Sequence, residues 1–166
     1  ESFVDDHFHF INPKEVNIDS ILEIASALIY RYGIKGLVID PYNELDHNRP
    51  AGITETEYVS QFLSKVRRFA RKKDIAVWVV AHPTKPIKDH KISAPTAYDI
   101  SGSANWANKA DNALSVFRTS GNEVQIHIKK IRFKEVGKLG VVDLKYDNKN
   151  GRYSVFNLKF KSNSAD

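Results

Sequence analysis

Residues 36–41 read GLVIDP, a short apolar run that stops on an aspartate and turns at once into a proline. Leu37, Val38 and Ile39 form a continuous, β-branched-rich segment of the kind buried on both faces of a parallel sheet covered by helices. Such a strand has no favourable place for an isolated charge, because burying an unpaired carboxylate costs several kcal/mol. Asp40 therefore belongs in solvent at the carboxyl end of the strand, or against a cation, a metal or hydrogen-bond donors. Two readings stand side by side. In one, Asp40 caps the turn at Pro41 by bonding its own backbone two residues on. In the other, it lies on the edge where open α/β sheets bind ligands.

Outward from this strand, the sequence alternates element types. FHFI (8–11) has the composition of a short strand, and NIDSILEIASALIYRYG (17–33) places apolar residues at 18, 21, 22, 25, 28 and 29, a helical stripe closed by Gly33. After a loop through Pro50 and Gly52, Thr54 and Glu57 have the spacing of a capping box. The helix that follows, over about 54–73, is expected to turn Tyr58, Phe62, Val66 and Phe69 inward and to end on the cations of RRFARKK, where its dipole favours them. IAVWVVAH (75–82) reads as a second buried strand that again stops on a polar residue. The stretch 83–103 is long, polar and aperiodic, which in a compact domain marks a functional or mobile loop. A short helix near 103–110 leads into NALSVFR, EVQIHIKKIRF, KLGVVDLKYD and RYSVFNL, which alternate with period two and are joined by turns such as NKNG. The order implies an α/β fold in which a parallel sheet flanked by helices carries an antiparallel carboxyl-terminal extension. One domain over 1–158 and a flexible tail over 159–166 are expected.

Composition sets the outer limits. The chain has 166 residues, 42% hydrophobic and 27% charged, enough for one domain with a core of its own. It contains no cysteine, which excludes disulfides and thiolate metal sites and suits a reducing compartment. No apolar run is long enough for a membrane helix, and ESFVDDHFHF does not resemble a signal peptide, so a cytoplasmic protein without membrane association is expected. The net charge of +5 permits a polyanionic partner without requiring one. The chain starts at Glu1 and contains no Met, so it reads as a piece of something longer.

Two neighbouring strands ending on Asp40 and His82 would set a carboxylate and an imidazole on one rim of the sheet. A single carboxylate with phosphate oxygens and water suits Mg²⁺, and a histidine beside it suits a hydrogen bond to a terminal phosphate. A histidine at a strand end also serves to cap local backbone. In IKKIRFKEVG (128–137), strand alternation puts Lys130 and Arg132 on one face with Ile131 opposite. A planar fork and a point charge side by side suit polyphosphate recognition, while the same pair also protects an exposed sheet edge. HFH (7–9) has no third residue at metal-ligand spacing and reads as structural.

GLVIDPYNEL (36–45), VVAHPTKP (79–86), SGSANWANKADNALSVFR (101–118) and IHIKKIRFKEVGKLGVVDLKYDNKNGRY (126–153) resemble, in order and spacing, segments of the DnaB-like hexameric replicative helicases, the Twinkle and bacteriophage primase-helicase branch in particular. The resemblance implies a partial RecA-like P-loop ATPase core. It implies a ring-forming enzyme that uses ATP and Mg²⁺ to move on single-stranded DNA and unwind duplex. Carried over, Asp40 is similar to the Walker B aspartate that serves the metal, and His82 to the γ-phosphate sensor. Arg132 and Lys130 are similar to an arginine finger, acting on the neighbouring subunit of a homo-oligomeric ring, and its companion lysine.

The resemblance also implies that the loops after the two strands face single-stranded DNA, with Asn48 and Arg49 in the first and Lys85, Lys88 and Lys91, beside His90, in the second. Tyr98 and Trp106 are candidates for base stacking or for packing. The sequence departs from the family in two places. No G-x-x-x-x-G-K-[ST] loop occurs in it, and neither Glu1 nor Glu44 stands where the family places its catalytic glutamate. The chain alone is therefore expected to be inactive, as the carboxyl-terminal half of a motor. A non-catalytic RecA-fold DNA-binding or assembly module, and a RecA-like recombinase or regulatory ATPase, remain the alternatives.

Overall fold

Residues 8–11, expected as a strand, carry no regular structure in the computed structural model, which describes residues 2–47, 49–84, 93–101 and 103–160. A short helix, α1 (Ser2–His7), precedes them, and Phe8 continues it by donating its N–H to the Val4 carbonyl at 2.8 Å. A strand needs a ladder partner, and these residues have none among the described residues: Phe8 and Phe10 are exposed. His7 bonds back to the Phe3 carbonyl, and His9 stacks on Tyr32 at 4.4 Å between ring centroids.

Helix α2 (Ile18–Tyr32) forms where the apolar stripe places it. Its N-cap is Asn17, whose side-chain oxygen accepts from the Ser20 N–H at 2.9 Å. Gly33 ends it with a left-handed φ of 67°, a conformation that costs a residue without Cβ nothing. Strand β1 (Gly36–Ile39) follows, then a 3₁₀ turn over Tyr42–Glu44 and helix α3 (Glu55–Lys73). Both arms of the capping box at Thr54 and Glu57 are formed, a device that typically contributes about 1 kcal/mol. Strand β2 (Ala76–Val79) is parallel to β1, with Leu37 opposite Val77 and Ile39 opposite Val79.

Helix α2 buries Ile18, Ile21, Leu22 and Ala25, and α3 buries Val59, Phe62, Leu63 and Val66; Leu37 and Ile39 of β1 and, after it, Tyr42 and Leu45 are buried too. Of the residues expected to face inward on α3, Phe62 and Val66 are buried, whereas Tyr58 and Phe69 are half-buried. The expectation that both strands are buried on both faces is corrected. Val38 and its partner Trp78 are 63% and 56% exposed, so the described residues cover one face of this two-stranded sheet and leave the other open. An apolar run reports that a strand prefers to be covered, not that its own segment supplies the cover.

The second unit, residues 83–166, is built on an antiparallel sheet. After a 3₁₀ turn at Ala97–Asp99 come helix α4 (Ser103–Lys109) and strands β3 (Asn112–Arg118), β4 (Glu123–Ile131), β5 (Gly140–Asp147) and β6 (Arg152–Phe160), with a 3₁₀ turn at Lys134–Val136 between β4 and β5. The strands lie in the order β3-β4-β5-β6. The NKNG turn is organised by Asp147, whose carboxylate accepts from the Lys149 N–H and from the Asn150 side chain. Asp143 is buried in the sheet and is satisfied by Gln125 and Asn157, each donating at 2.9 Å from the flanking strands. Lys159 and Phe160, expected in a flexible tail over 159–166, instead belong to β6 and pair with Val141 and Gly140; residues 161–166 lie outside the described residues.

A titratable cluster sits in the first unit. Tyr42 packs on His47 at 4.5 Å and on Phe62 at 4.8 Å, and His47 meets Tyr58 at 5.5 Å. Burial, reinforced by Tyr58 and Glu55, pushes the Tyr42 hydroxyl up to about 12. Burial also lowers the His47 imidazole below its ordinary 6.5, against the opposing pull of Glu55 and Asp46. A depressed histidine pKa means that the folded chain binds fewer protons than the unfolded chain. The stabilisation from neutral His47 is then complete above about 6.5 and is lost as pH falls from there through the folded value. We expect His47 to titrate below 6.5 by NMR, and His47→Phe to reduce the drop in melting temperature on acidification through that window. An undiminished drop would show that His47 does not contribute to it.

Candidate functional site

In the first unit, the carboxyl ends of β1 and β2 are laced together. The Val80 N–H donates to the Ile39 carbonyl at 2.9 Å, and the Tyr42 N–H returns to the Val80 carbonyl at 2.7 Å. Asn43, in the turn after β1, accepts the His82 N–H on its side-chain oxygen at 2.9 Å. Asp40 and His82 thus emerge on one rim of a parallel strand pair, and both are exposed.

The capping alternatives for these two residues lose their support. The N–H two residues beyond Asp40 belongs to Tyr42 and is taken by Val80, and the Asp40 carboxylate makes no hydrogen bond or ion pair among the described residues. The His82 ring likewise bonds nothing there, since its backbone is held by Asn43. The described residues contain no group of three or more acidic or histidine side chains able to cage a metal. A lone exposed carboxylate fits Mg²⁺, which takes few protein oxygens and keeps its waters and phosphate ligands.

In the second unit, Lys130 and Arg132 meet the carboxyl end of α4. The Lys130 ammonium donates to the Ala107 carbonyl at 2.6 Å and to the Asn108 carbonyl at 3.3 Å, where the last turn of a helix leaves carbonyls unpaired and favours a cation. The Arg132 Nε pairs with Asp111 Oδ1 at 2.6 Å, its backbone N–H donates to the Asp111 carbonyl at 2.8 Å, and its Nη2 reaches the Asn108 carbonyl at 3.5 Å. Lys130 and Arg132 lie beyond Ile128, where the β4–β5 ladder ends, so β3 alone pairs with this stretch of β4, and the reading of the pair as a charged sheet edge stands beside that of polyphosphate recognition.

A register shift between Ala113 and Leu114 shapes this end of the sheet. Ile128 pairs with Leu114 and Lys130 with Ala113, which leaves Lys129 as an extra residue in β4. The bulge shifts the alternation, so that Lys130 lies on the face of His127 and Gln125 instead of following Ile126 and Ile128.

The residues expected to meet DNA are mostly beyond description. Asn48, Lys85, Lys88, His90 and Lys91 lie outside the described residues. Arg49 is exposed, with its N–H on the His47 carbonyl. Tyr98 is 64% exposed, whereas Trp106 is buried and donates its indole N–H to the Ser101 carbonyl at 2.9 Å, which assigns Trp106 to packing. Sequence reasoning assigned no role to Asn43 or Asp111. Asn43 had no periodic signal; Asp111 stood in the ADN stretch without a partner to name.

No protein-family model matches the sequence. The chain is 49% identical over 144 residues to the Twinkle homolog protein, chloroplastic/mitochondrial, of Arabidopsis thaliana, an alignment covering 83% of this chain and 20% of that protein. It therefore spans about a fifth of that relative's length. Among solved structures, one described as an ATPase domain superposes with a TM-score of 0.72 at 19% identity, covering 89% of this chain and 54% of the other. A DnaB-like replicative helicase, described with its interactions with primase, gives a TM-score of 0.73 at 19% identity, covering 89% of this chain and 37% of the other. These likenesses give the RecA-like ATPase fold, and the sequence identity shows the chain to be similar to a segment of a Twinkle homolog.

Proposed function

We propose that the chain is the carboxyl-terminal part of the ATPase domain of a ring-forming replicative DNA helicase, which couples ATP hydrolysis to movement along single-stranded DNA and to duplex unwinding. The observation that carries the reading is the placement of Asp40 and His82 on one rim of a parallel strand pair, in a chain 49% identical to a Twinkle homolog. In this reading the Asp40 carboxylate serves Mg²⁺, directly or through its waters, and the His82 imidazole hydrogen-bonds the terminal phosphate of ATP. Mg²⁺ supplies charge neutralisation on the phosphates. Arg132, with Lys130 beside it, reaches the nucleotide of the neighbouring subunit in a homo-oligomeric, hexameric ring. Asn48, Arg49, Lys85, Lys88 and Lys91 track the phosphates of single-stranded DNA. Their cations act without reading sequence, so affinity falls steeply with salt.

No helix among the described residues is long and apolar enough to cross a membrane. The related protein is named for chloroplast and mitochondrion, and we place the full-length protein in whichever compartment holds the DNA it serves, organelle interior or cytoplasm. The deciding experiment uses that full-length protein with a forked duplex, ATP and Mg²⁺. Strand separation accompanied by hydrolysis that single-stranded DNA stimulates is the expected result. An assembled ring that binds DNA but neither hydrolyses ATP nor unwinds would instead identify a non-catalytic module.

A further inference from the structure

Continuing the β3–β4 register beyond Asn112 and Ile131 sets Asp111 opposite Arg132, and the two residues are joined through main chain and side chain together. The carboxylate takes the Nε edge of the guanidinium at 2.6 Å. Nη2 has only a 3.5 Å bond to the Asn108 carbonyl, and Nη1 has no partner among the described residues. The edge that Asp111 leaves open is the one carrying both terminal amino groups, which forms the fork that binds a phosphate. Lys130 is fixed beside it by the end of α4. Arginine has about 2 kcal/mol of rotamer entropy to lose when it is held in one pose. A tether at Nε restricts those rotamers before any anion arrives.

We infer that Asp111 is a positioning residue, which fixes the Arg132 guanidinium with its two-amino edge presented to the nucleotide of the adjoining subunit. The inference rests on the reading of Arg132 as a finger. A partly exposed ion pair is worth at most about 1 kcal/mol to the fold. Its main consequence is therefore the aim of Arg132, and a displacement on the order of 1 Å at such a group costs up to about 10²-fold in rate.

The test measures DNA-stimulated ATP hydrolysis by the full-length protein carrying Asp111→Asn, Asp111→Glu, Arg132→Ala, or Asp111→Asn with Arg132→Ala. Asp111→Asn is expected to lower kcat by about 10- to 100-fold with little change in KM, melting temperature or ring assembly. Asp111→Glu should recover part of the loss. The double variant should be no slower than Arg132→Ala alone, since a residue acting only through Arg132 has nothing left to position. Wild-type or raised kcat in Asp111→Asn, a loss that follows unfolding or ring dissociation, or a further loss in the double variant overturns the inference. An inactive Arg132→Ala beside a fully active Asp111→Asn defeats the positioning role alone, whereas an active Arg132→Ala defeats the finger reading and this inference with it.

Discussion

Replacing Arg132 by alanine in the full-length protein is expected to lower DNA-stimulated ATP turnover by about 10³-fold or more, and mixing that variant with an Asp40→Asn subunit should restore part of the activity. Phosphoryl transfer demands little covalent chemistry from the protein, so charge stabilisation of the transition state dominates, and an arginine finger supplies about 10³ to 10⁵ of the rate. If the finger serves the neighbouring subunit, each defective chain retains one intact half of a site. The Asp40→Asn chain then supplies Arg132 to a neighbour whose own Asp40 is sound, and only interfaces of that orientation work. An arginine acting within its own subunit gives no rescue, because each chain carries a fatal defect in its own site. Rings shown to contain both chains, yet dead at every mixing ratio, would remove the assignment across the interface. Retained turnover in Arg132→Ala would leave the residue with the structural duty already visible, its pairing with Asp111 at the end of α4.

Asp40→Asn should abolish hydrolysis in the full-length protein while leaving folding and assembly intact. The two parts of the expectation rest on different observations. The carboxylate is exposed and bonds nothing among the described residues, so the isosteric amide removes no contact that holds the fold. The strand ends beneath it are joined by main-chain bonds of Val80 and Tyr42, which the substitution does not touch. What it does remove is the negative charge for which a divalent cation would bind there. Turnover and melting temperature measured together at saturating Mg²⁺ separate the two parts. Full turnover would mean that Asp40 does not serve the metal. A large fall in melting temperature would mean that its charge holds structure after all.

The glycine that ends α2 and the capping box of α3 were legible in the residues themselves, because each depends on nothing more than a few positions away. Thr54 and Glu57 bond across one helical turn, and Gly33 needs only its own backbone freedom. A polar residue closing an apolar run also states its own position: Asp40 and His82 end up in solvent beyond the last paired residues of β1 and β2. Tertiary structure decided whatever needed a partner from far along the chain. FHFI had strand composition and, among the described residues, no strand to pair with. Leu37 and Ile39 were buried, while Val38 and Trp78, equally apolar, were left uncovered. Trp106 is buried, an outcome that the pattern of its own segment does not state. The bulge at Lys129 and the grip of Asp111 on Arg132 exist only where β3 lies against β4, since pairing register is a property of two strands together and neither strand's own pattern records it.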